Sequence, residues 1–445
     1  MSWGLLYILD ALAIALFVLS YYRNCYRQGY RIDFWHEQLF LLCVLPNMLM
    51  LPFANNILNG LILGRDYTAV VAAIPDVFLL TMLGYIAVII GGSLWNLQLG
   101  AGIRSTTIRV LDIVPRCSMM LMRSRSILVF QTAICLLLQV LILGIYFAHS
   151  GFGFDLREYT FANPELRPIA LVISGYSIII ASHCLARYID LKERVLLICT
   201  LLLTIGMVFF GARSNILYIY LNVLICYLIR IRDRVSLLRI ATLISVIIII
   251  GLYLGKVRAG QYSLGDFFSV LVAALLFGNT FSDLRDFGWV YALWDHKFWI
   301  GKTYIAAITS FVPRFASEFR DTWGLGVATA RTLGLDPHVH PGVRPGAFGE
   351  GYFNFGFFGV VGIGLLIGVV VRRIDIDVKR SLLPPHSSMR RAFASTMLIT
   401  VVSAVSISAG FSGLYVLAGI YLFSWLCLLA QRMVRSPHTT LADAS

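Results

Sequence analysis

Predominantly apolar segments recur along the chain, separated by short polar connections and by one long polar segment. Each apolar segment has about 17 to 25 residues, enough for a helix to cross the roughly 30 Å hydrocarbon core of a bilayer. Backbone polar groups within a bilayer must be satisfied inside the protein, so such segments are expected to be helical. The pattern predicts an all-α polytopic membrane protein with about eleven transmembrane helices. The predicted spans are 4–21, 37–54, 69–92, 126–147, 168–186, 194–211, 213–229, 238–255, 352–371, 392–409 and 412–431.

The long polar segment, residues 256–351, lies between the eighth and ninth predicted spans. Residues 267–279 within it are apolar but too short to cross a bilayer, which favours a re-entrant or interfacial helix. Residues 287–300 form a second weak apolar run, long enough to pair with the first as a hairpin. These two runs leave the number of spans between ten and thirteen. The predicted divisions are helices 1–8 at 1–255, the large loop with short or re-entrant helices at 256–351, helices 9–11 at 352–431 and a tail at 432–445.

Basic residues are distributed unevenly between the two sets of connections. Of the 36 Lys and Arg residues, 23 fall in one set of short connections and 13 in the set that includes the large loop. Short cytoplasmic loops carry an excess of Lys and Arg. The N-terminus and the large loop are therefore predicted to face outward and the C-terminus to be cytoplasmic. This orientation signal also accounts for part of the net charge of +13.

Composition and motifs exclude several classes of protein. With 59% apolar and 13% charged residues, the chain is unlike a soluble protein of 445 residues. No basic run is interleaved with aromatic residues in a soluble domain, so the charge does not indicate nucleic-acid binding. None of the eight cysteines falls in a predicted outer loop and no CxxC pair occurs, so no disulfide framework or cysteine metal site is indicated. There is no GxxxxGK[ST] motif, and the inner loops are too short for a nucleotide-binding domain, which favours a lipid-borne substrate.

The large loop is rich in cations on a face that is normally poor in them. An arginine fork donates two parallel hydrogen bonds to one phosphate, so the loop is suited to holding an anion such as a diphosphate. The alternative is that these cations only solvate the surface or pair with acidic residues of the same loop. The nine cations are Lys256, Arg258, Arg285, Lys297, Lys302, Arg314, Arg320, Arg331 and Arg344. The acidic residues are Asp283, Asp286, Asp295, Glu318 and Asp321.

Five residues at the membrane boundary or in the loop are further candidates. Arg213 and Arg258 lie at the outer ends of predicted spans, where a charge is costly unless it faces a cavity or a partner, or snorkels to the headgroups. Glu350 lies where the loop returns to the membrane. A raised pKa there would suit a general base near neutral pH. His338 and His340 are rival bases, and Glu350 has the alternative of pairing with a loop arginine.

Three short motifs lie between residues 211 and 356: GARS at 211–214, FVPR at 311–314 and GEGYFNFG at 349–356. Arg331 and Gly342 also stand in an R-x10-G spacing. With these motifs, residues 211–368 resemble the bacterial oligosaccharide repeat-unit polymerases, the Wzy-type polymerases of O-antigen and exopolysaccharide assembly.

The resemblance implies a fold similar to the polytopic C-type glycosyltransferases, located in the bacterial inner membrane. The implied reaction transfers a growing glycan from undecaprenyl diphosphate to the non-reducing end of a new lipid-linked repeat unit, and undecaprenyl diphosphate is released. Glu350, His338 or His340 would deprotonate or orient the acceptor hydroxyl. The diphosphate would be held by Arg213, Arg258, Arg314, Arg320, Arg331 and Arg344. The resemblance implies no metal or other cofactor, and it implies membrane lipid, a chain-length regulator and a flippase as partners.

Three other functions fit parts of the pattern. An O-antigen ligase uses the same donor and a similar outer loop but delivers the glycan to lipid A–core. A lipid-linked oligosaccharide flippase or another transporter would place its charges at mid-membrane, with repeated halves. A non-catalytic scaffold for polysaccharide export is the third.

Overall fold

The computed structural model describes residues 3–27, 68–94, 109–151, 165–210, 213–231, 282–312, 316–337, 342–382 and 387–435, with isolated residues at 48, 51, 156, 159, 160 and 163. Throughout this part of the chain the regular structure is helical, with no strand. The α-helices are α1 Trp3–Arg27, α2 Thr68–Leu94, α3 Ile113–Leu121, α4 Arg125–Ser150, α5 Leu166–Leu191, α6 Arg194–Phe209, α7 Arg213–Arg230, α8 Asp283–Leu293, α9 Lys302–Ile308, α10 Glu318–Trp323, α11 Leu325–Thr332, α12 Gly346–Leu382, α13 Met389–Thr396, α14 Leu398–Ser406 and α15 Phe411–Arg435. A 3-10 turn, Ser408–Gly410, precedes α15.

Five helical segments are long and apolar enough to cross a membrane, which confirms an α-helical membrane protein. They are Thr68–Leu94, Arg125–Ser150, Leu166–Leu191, Gly346–Leu382 and Ser408–Gln431, and each contains or nearly coincides with a predicted span. Two shorter apolar helical segments, Trp3–Ala15 within α1 and Arg194–Phe209 (α6), overlap the first and sixth predicted spans. Helix α7 covers the seventh.

Some predicted spans differ from the observed helices. The predicted span 392–409 is not one helix: α13 ends at Thr396 and α14 begins at Leu398. At this break the Met397 amide donates to the Ala394 carbonyl, a tight turn in place of an α-helical bond. Helix α12 begins six residues before the predicted start of span 352–371. The predicted spans 37–54 and 238–255 and the run 267–279 lie outside the described helices.

The chain divides into two compact units. The first comprises residues 1–99, 231–375 and 402–411, and the second comprises 100–230, 376–401 and 412–445. In the first unit, α2 packs against both α8 and α12. A side chain at Gly364 or Gly368 of α12 would collide with the backbone of α2 at Gly84 or Val88, so these glycines allow the two helices to touch.

The second unit has an apolar core that includes Leu128, Ile180 and Leu203. Polar side chains link its helices: Gln131 Nε2 lies 2.5 Å from Ser424 Oγ. Asp190, near the end of α5, accepts a hydrogen bond of 2.9 Å from the amide of Met389, the first residue of α13, whose N-cap residue is Ser388.

Candidate functional site

Glu350 lies in the second turn of α12 and is fully buried. Its Oε1 accepts a hydrogen bond of 2.6 Å from the Thr303 hydroxyl on α9. Its Oε2 accepts one of 2.8 Å from the amide of Ser408, the first residue of the 3-10 turn. The carboxylate therefore joins three elements of the first unit, and both of its oxygens are engaged by protein donors.

Helix α12 is broken a few residues beyond Glu350, at Gly356. This glycine has φ +62° and ψ −146°, a conformation that side-chain-bearing residues avoid. Just before the break, the carbonyls of Phe353 and Asn354 accept hydrogen bonds from the amides of Trp299 and Ile300, at 2.8 and 3.2 Å. Residues 299 and 300, just before α9, are thus hydrogen-bonded to α12 beside its break at Gly356. We call this break the elbow of α12.

Asn354 lies one helical turn after Glu350 and connects the same groups. Its Nδ2 donates to Thr303 Oγ1 and to the Glu350 carbonyl, both at 2.9 Å. The side chain is 1% exposed, and its buried Oδ1 has no hydrogen-bond partner among the residues that the structure describes. A buried amide oxygen left unpaired is costly.

An aromatic cluster packs around this buried polar group. The Phe353 ring lies 5.5 Å from Phe287, 5.3 Å from Trp294 and 5.1 Å from Trp299. Tyr352 lies 5.9 Å from Trp294. Such ring pairs stabilise a fold by more than their buried area alone, and here they hold α8 against the start of α12.

A second group of contacts centres on Asp286 of α8, which is 6% exposed. Its carboxylate accepts from Ser282 Oγ and Arg285 Nε, each at 3.0 Å, and from the Arg344 amide at 3.4 Å. Burial raises the pKa of Asp286 above its ordinary value, although Arg285 and the hydrogen bonds oppose the rise. Asp286 thus anchors the segment that leads into α12.

The same segment is docked on α11 through Thr329. The Val343 amide donates to Thr329 Oγ1 at 3.1 Å. Gly342 has φ +80°, and a Cβ there would collide with the backbone of Gly326. Glycine at this position of the R-x10-G spacing is therefore required by a close backbone approach.

Arg331 and Arg344 follow the two residues of this contact, Thr329 and Val343, along the chain, and both are exposed. Arg331 is in the last turn of α11, and Arg344 follows Val343 directly. Neither guanidinium forms an ion pair within 4.0 Å with any residue that the structure describes. We call α8, α11 and residues 342–346, which carry these two arginines, the loop scaffold.

The structure places the other predicted site residues as follows. Arg320 is half-buried and donates from its guanidinium to the Val312 carbonyl. Arg213 is the first residue of α7, and its side chain lies outside the described part. Arg258, Arg314, His338 and His340 also lie outside it.

Among the described residues, the Glu350 carboxylate accepts from Thr303 and Ser408, and no arginine is its partner. Two loop cations do pair with loop acids: Arg285 with Asp286 and, at 4.0 Å, Lys297 with Asp295.

Four residues of the site were not singled out from the sequence: Thr303, Asn354 and Ser408 around Glu350, and Thr329 under Gly342. Asn354 carried a signal, since it stands four residues after Glu350 within GEGYFNFG. The other three have no local pattern.

Comparisons of the chain with protein-family models, with curated proteins and with solved structures give no match. Among the described residues, no three His, Cys, Asp or Glu side chains form a group that could hold a metal ion.

Proposed function

We propose that this protein is a membrane glycosyltransferase that joins oligosaccharide repeat units carried on undecaprenyl diphosphate. The observation that carries the proposal is the pair of exposed arginines on the loop scaffold, Arg331 and Arg344. Neither forms an ion pair within 4.0 Å with a described residue, although Arg344 interacts electrostatically with the carboxyl group of Asp283. Two such guanidiniums are suited to a ligand with several phosphate oxygens.

In the proposed reaction, a hydroxyl at the non-reducing end of a lipid-linked repeat unit attacks the anomeric carbon of the growing glycan. The new glycosidic bond forms as the bond from that carbon to the diphosphate oxygen breaks. The diphosphate leaves with the electron pair, and the hydroxyl proton passes to a base. Arg331 and Arg344 neutralise the charge that develops on the leaving diphosphate, and Arg213, Arg258, Arg314 and Arg320 are the other cations of the proposal.

The base in this proposal is His338 or His340. Glu350 was the other candidate, but its two oxygens accept hydrogen bonds in a fully buried position. We therefore assign Glu350 a positioning role: it fixes the start of α12 against α9 and the turn at Ser408.

The proposal also specifies the membrane location, the topology and the partners of the protein. The protein would lie in the bacterial inner membrane with eleven spans arranged as in C-type glycosyltransferases. Its N-terminus and the large loop would face the periplasm and its C-terminus the cytoplasm. Membrane lipid, a chain-length regulator and a flippase would be its partners. The short basic connections support this orientation.

The test uses purified protein in detergent with an undecaprenyl-diphosphate repeat unit, without nucleotide and without added metal. A ladder of products on a gel is expected, and it should weaken strongly in Arg331→Ala and in Arg344→Ala. Lys297→Ala is the matched control, since its side chain is 86% exposed in the same loop. If folded protein gives no ladder but transfers glycan to lipid A–core, it is a ligase. If it gives neither product but moves the lipid across vesicles, it is a transporter.

A further inference from the structure

An apolar surface lies around the elbow of α12, and much of it belongs to the segment predicted to be an outer loop. Its members are Phe298, Ile300, Ile305, Phe355, Phe357 and Phe358, with exposed fractions of 48, 70, 51, 48, 60 and 90%. We call these six residues the elbow surface. An aqueous loop rarely exposes a contiguous apolar patch of this kind, so the patch indicates an interaction site.

The six side chains form one surface because the loop segment is bonded to the elbow. The Ile300 amide donates to the Asn354 carbonyl at 3.2 Å. A Cβ at Gly356 would lie 3.2 Å from the Phe298 ring, and one at Gly301 would lie 3.1 Å from the Phe355 ring. The ring of Tyr304, next to Ile305, stacks on Phe355 at 6.3 Å.

Phe355, Phe357 and Phe358 belong to a helix that is long and apolar enough to cross a membrane, Gly346–Leu382. The exposed apolar residues of the loop are therefore continuous with a surface that faces lipid. Ile300 is held outward by a left-handed backbone, φ +50°, which is unusual for a β-branched residue. The described residues leave this side chain 70% exposed.

The first residue of α9, Lys302, lies one turn before the exposed Ile305. Lys302 Nζ lies 4.2 Å from the centre of the Trp323 ring. Lysine and tryptophan side chains of this kind are typical of the membrane–water interface and not of the hydrocarbon centre. Ala306 and Ala307, between the exposed Ile305 and Ile308, are buried against the protein.

We infer that the elbow surface is immersed in the outer part of the bilayer and that its partner is lipid hydrocarbon. Residues 298–308 then form a segment that is embedded in the membrane without spanning it, and not an aqueous loop. The buried Glu350 group lies directly beneath this segment, because Thr303 of α9 donates to it. The inference concerns the membrane and holds whether or not the protein transfers glycans.

The experiment places the photo-reactive residue p-benzoyl-phenylalanine at Ile305 of the full-length protein, in vesicles of phosphatidylethanolamine and phosphatidylglycerol. After illumination, mass spectrometry measures the fraction of protein that carries a lipid adduct. Leu137, 60% exposed in α4, is the lipid-facing control, and Asp295, with a side chain 62% exposed, is the loop control. All three positions are exposed, so the replacements leave the fold intact, and monodisperse elution verifies this.

The expected adduct yield at Ile305 equals that at Leu137 and exceeds that at Asp295 about tenfold or more, as the partitioning of an apolar side chain predicts. A yield at Ile305 equal to that at Asp295 would overturn the inference. Cross-links to a second copy of the chain in place of lipid would also overturn it, since the elbow surface would then be a subunit interface. The same probe at Ile300 gives an independent repeat of the measurement.

Discussion

Replacing Glu350 tests whether its carboxylate holds the start of α12 in place. Glu350→Ala leaves two buried donors without their acceptor, the Thr303 hydroxyl and the Ser408 amide. Each buried unsatisfied group costs about 1–3 kcal/mol, so the expected loss is roughly 2–6 kcal/mol. Glu350→Gln keeps the volume and one acceptor oxygen. Its NH2 group cannot accept, so one of the two donors loses its acceptor, a smaller loss of about 1–3 kcal/mol.

The assay is the temperature at which half of the detergent-solubilised protein is lost from the monodisperse peak, together with resistance of the loop to limited proteolysis. Glu350→Ala should show a large decrease and Glu350→Gln a smaller one, while Glu318→Ala, at an exposed position in α10, should show none. An Ala variant as stable as the wild type would refute the structural role. Retained turnover in Glu350→Gln is expected for a positioning residue, and loss of turnover with normal stability would instead make Glu350 the base.

Three further predictions concern the loop scaffold and the second unit. Gly342→Ala should loosen residues 342–344 from α11 by more than about 1 kcal/mol, because a Cβ meets the Gly326 backbone at a positive φ; unchanged proteolysis of the loop would contradict this. Because the pKa of folded Asp286 is raised, its contribution to stability is fullest below the ordinary value of 3.8 and is lost as the pH rises through the folded pKa. Resistance of the loop to proteolysis should therefore fall between acid and neutral pH. The part of this fall that comes from Asp286 should be absent in Asp286→Asn. Asp190→Ala removes the acceptor of the Met389 and Arg390 amides at the start of α13, together with the ion pairs to Arg230 and Arg390, and should lower stability by about 1–3 kcal/mol, whereas an unchanged melting temperature would exclude this role.

The long apolar helices could be predicted from composition alone, because crossing a bilayer constrains both length and polarity. The prediction of 126–147 falls inside α4, Arg125–Ser150, whose ends extend into polar residues that hydropathy discounts. The start of α12 was missed because glycines at 346, 349 and 351 are typical of a loop. The break between α13 and α14 was missed because averaged hydropathy across 392–409 does not register a single turn.

For the site, the sequence identified Glu350 but not what it contacts. Thr303 and Ser408 are 47 and 58 residues away from it, and no local pattern links positions so far apart. Gly342 was noticed only through its spacing from Arg331. The physical reason, contact with the Gly326 backbone, depends on how the loop folds onto α11. Residues 298–300 were placed in the weak apolar run 287–300 and residues 301–308 in the polar loop, because short runs carry no signal of depth in a membrane.

The most direct test of the proposed function compares turnover of the double variant Arg331→Ala/Arg344→Ala with that of Lys297→Ala, on undecaprenyl-diphosphate repeat units. Hydrogen bonds to charged groups contribute about 1.5–3 kcal/mol each, so losing one from each arginine in the transition state should cost roughly 3–6 kcal/mol. At about 1.4 kcal/mol per tenfold, kcat/KM should fall by about 10²- to 10⁴-fold. Lys297→Ala should be unaffected. Equal rates for the two variants, in folded protein, would contradict the assignment of the diphosphate to the loop scaffold.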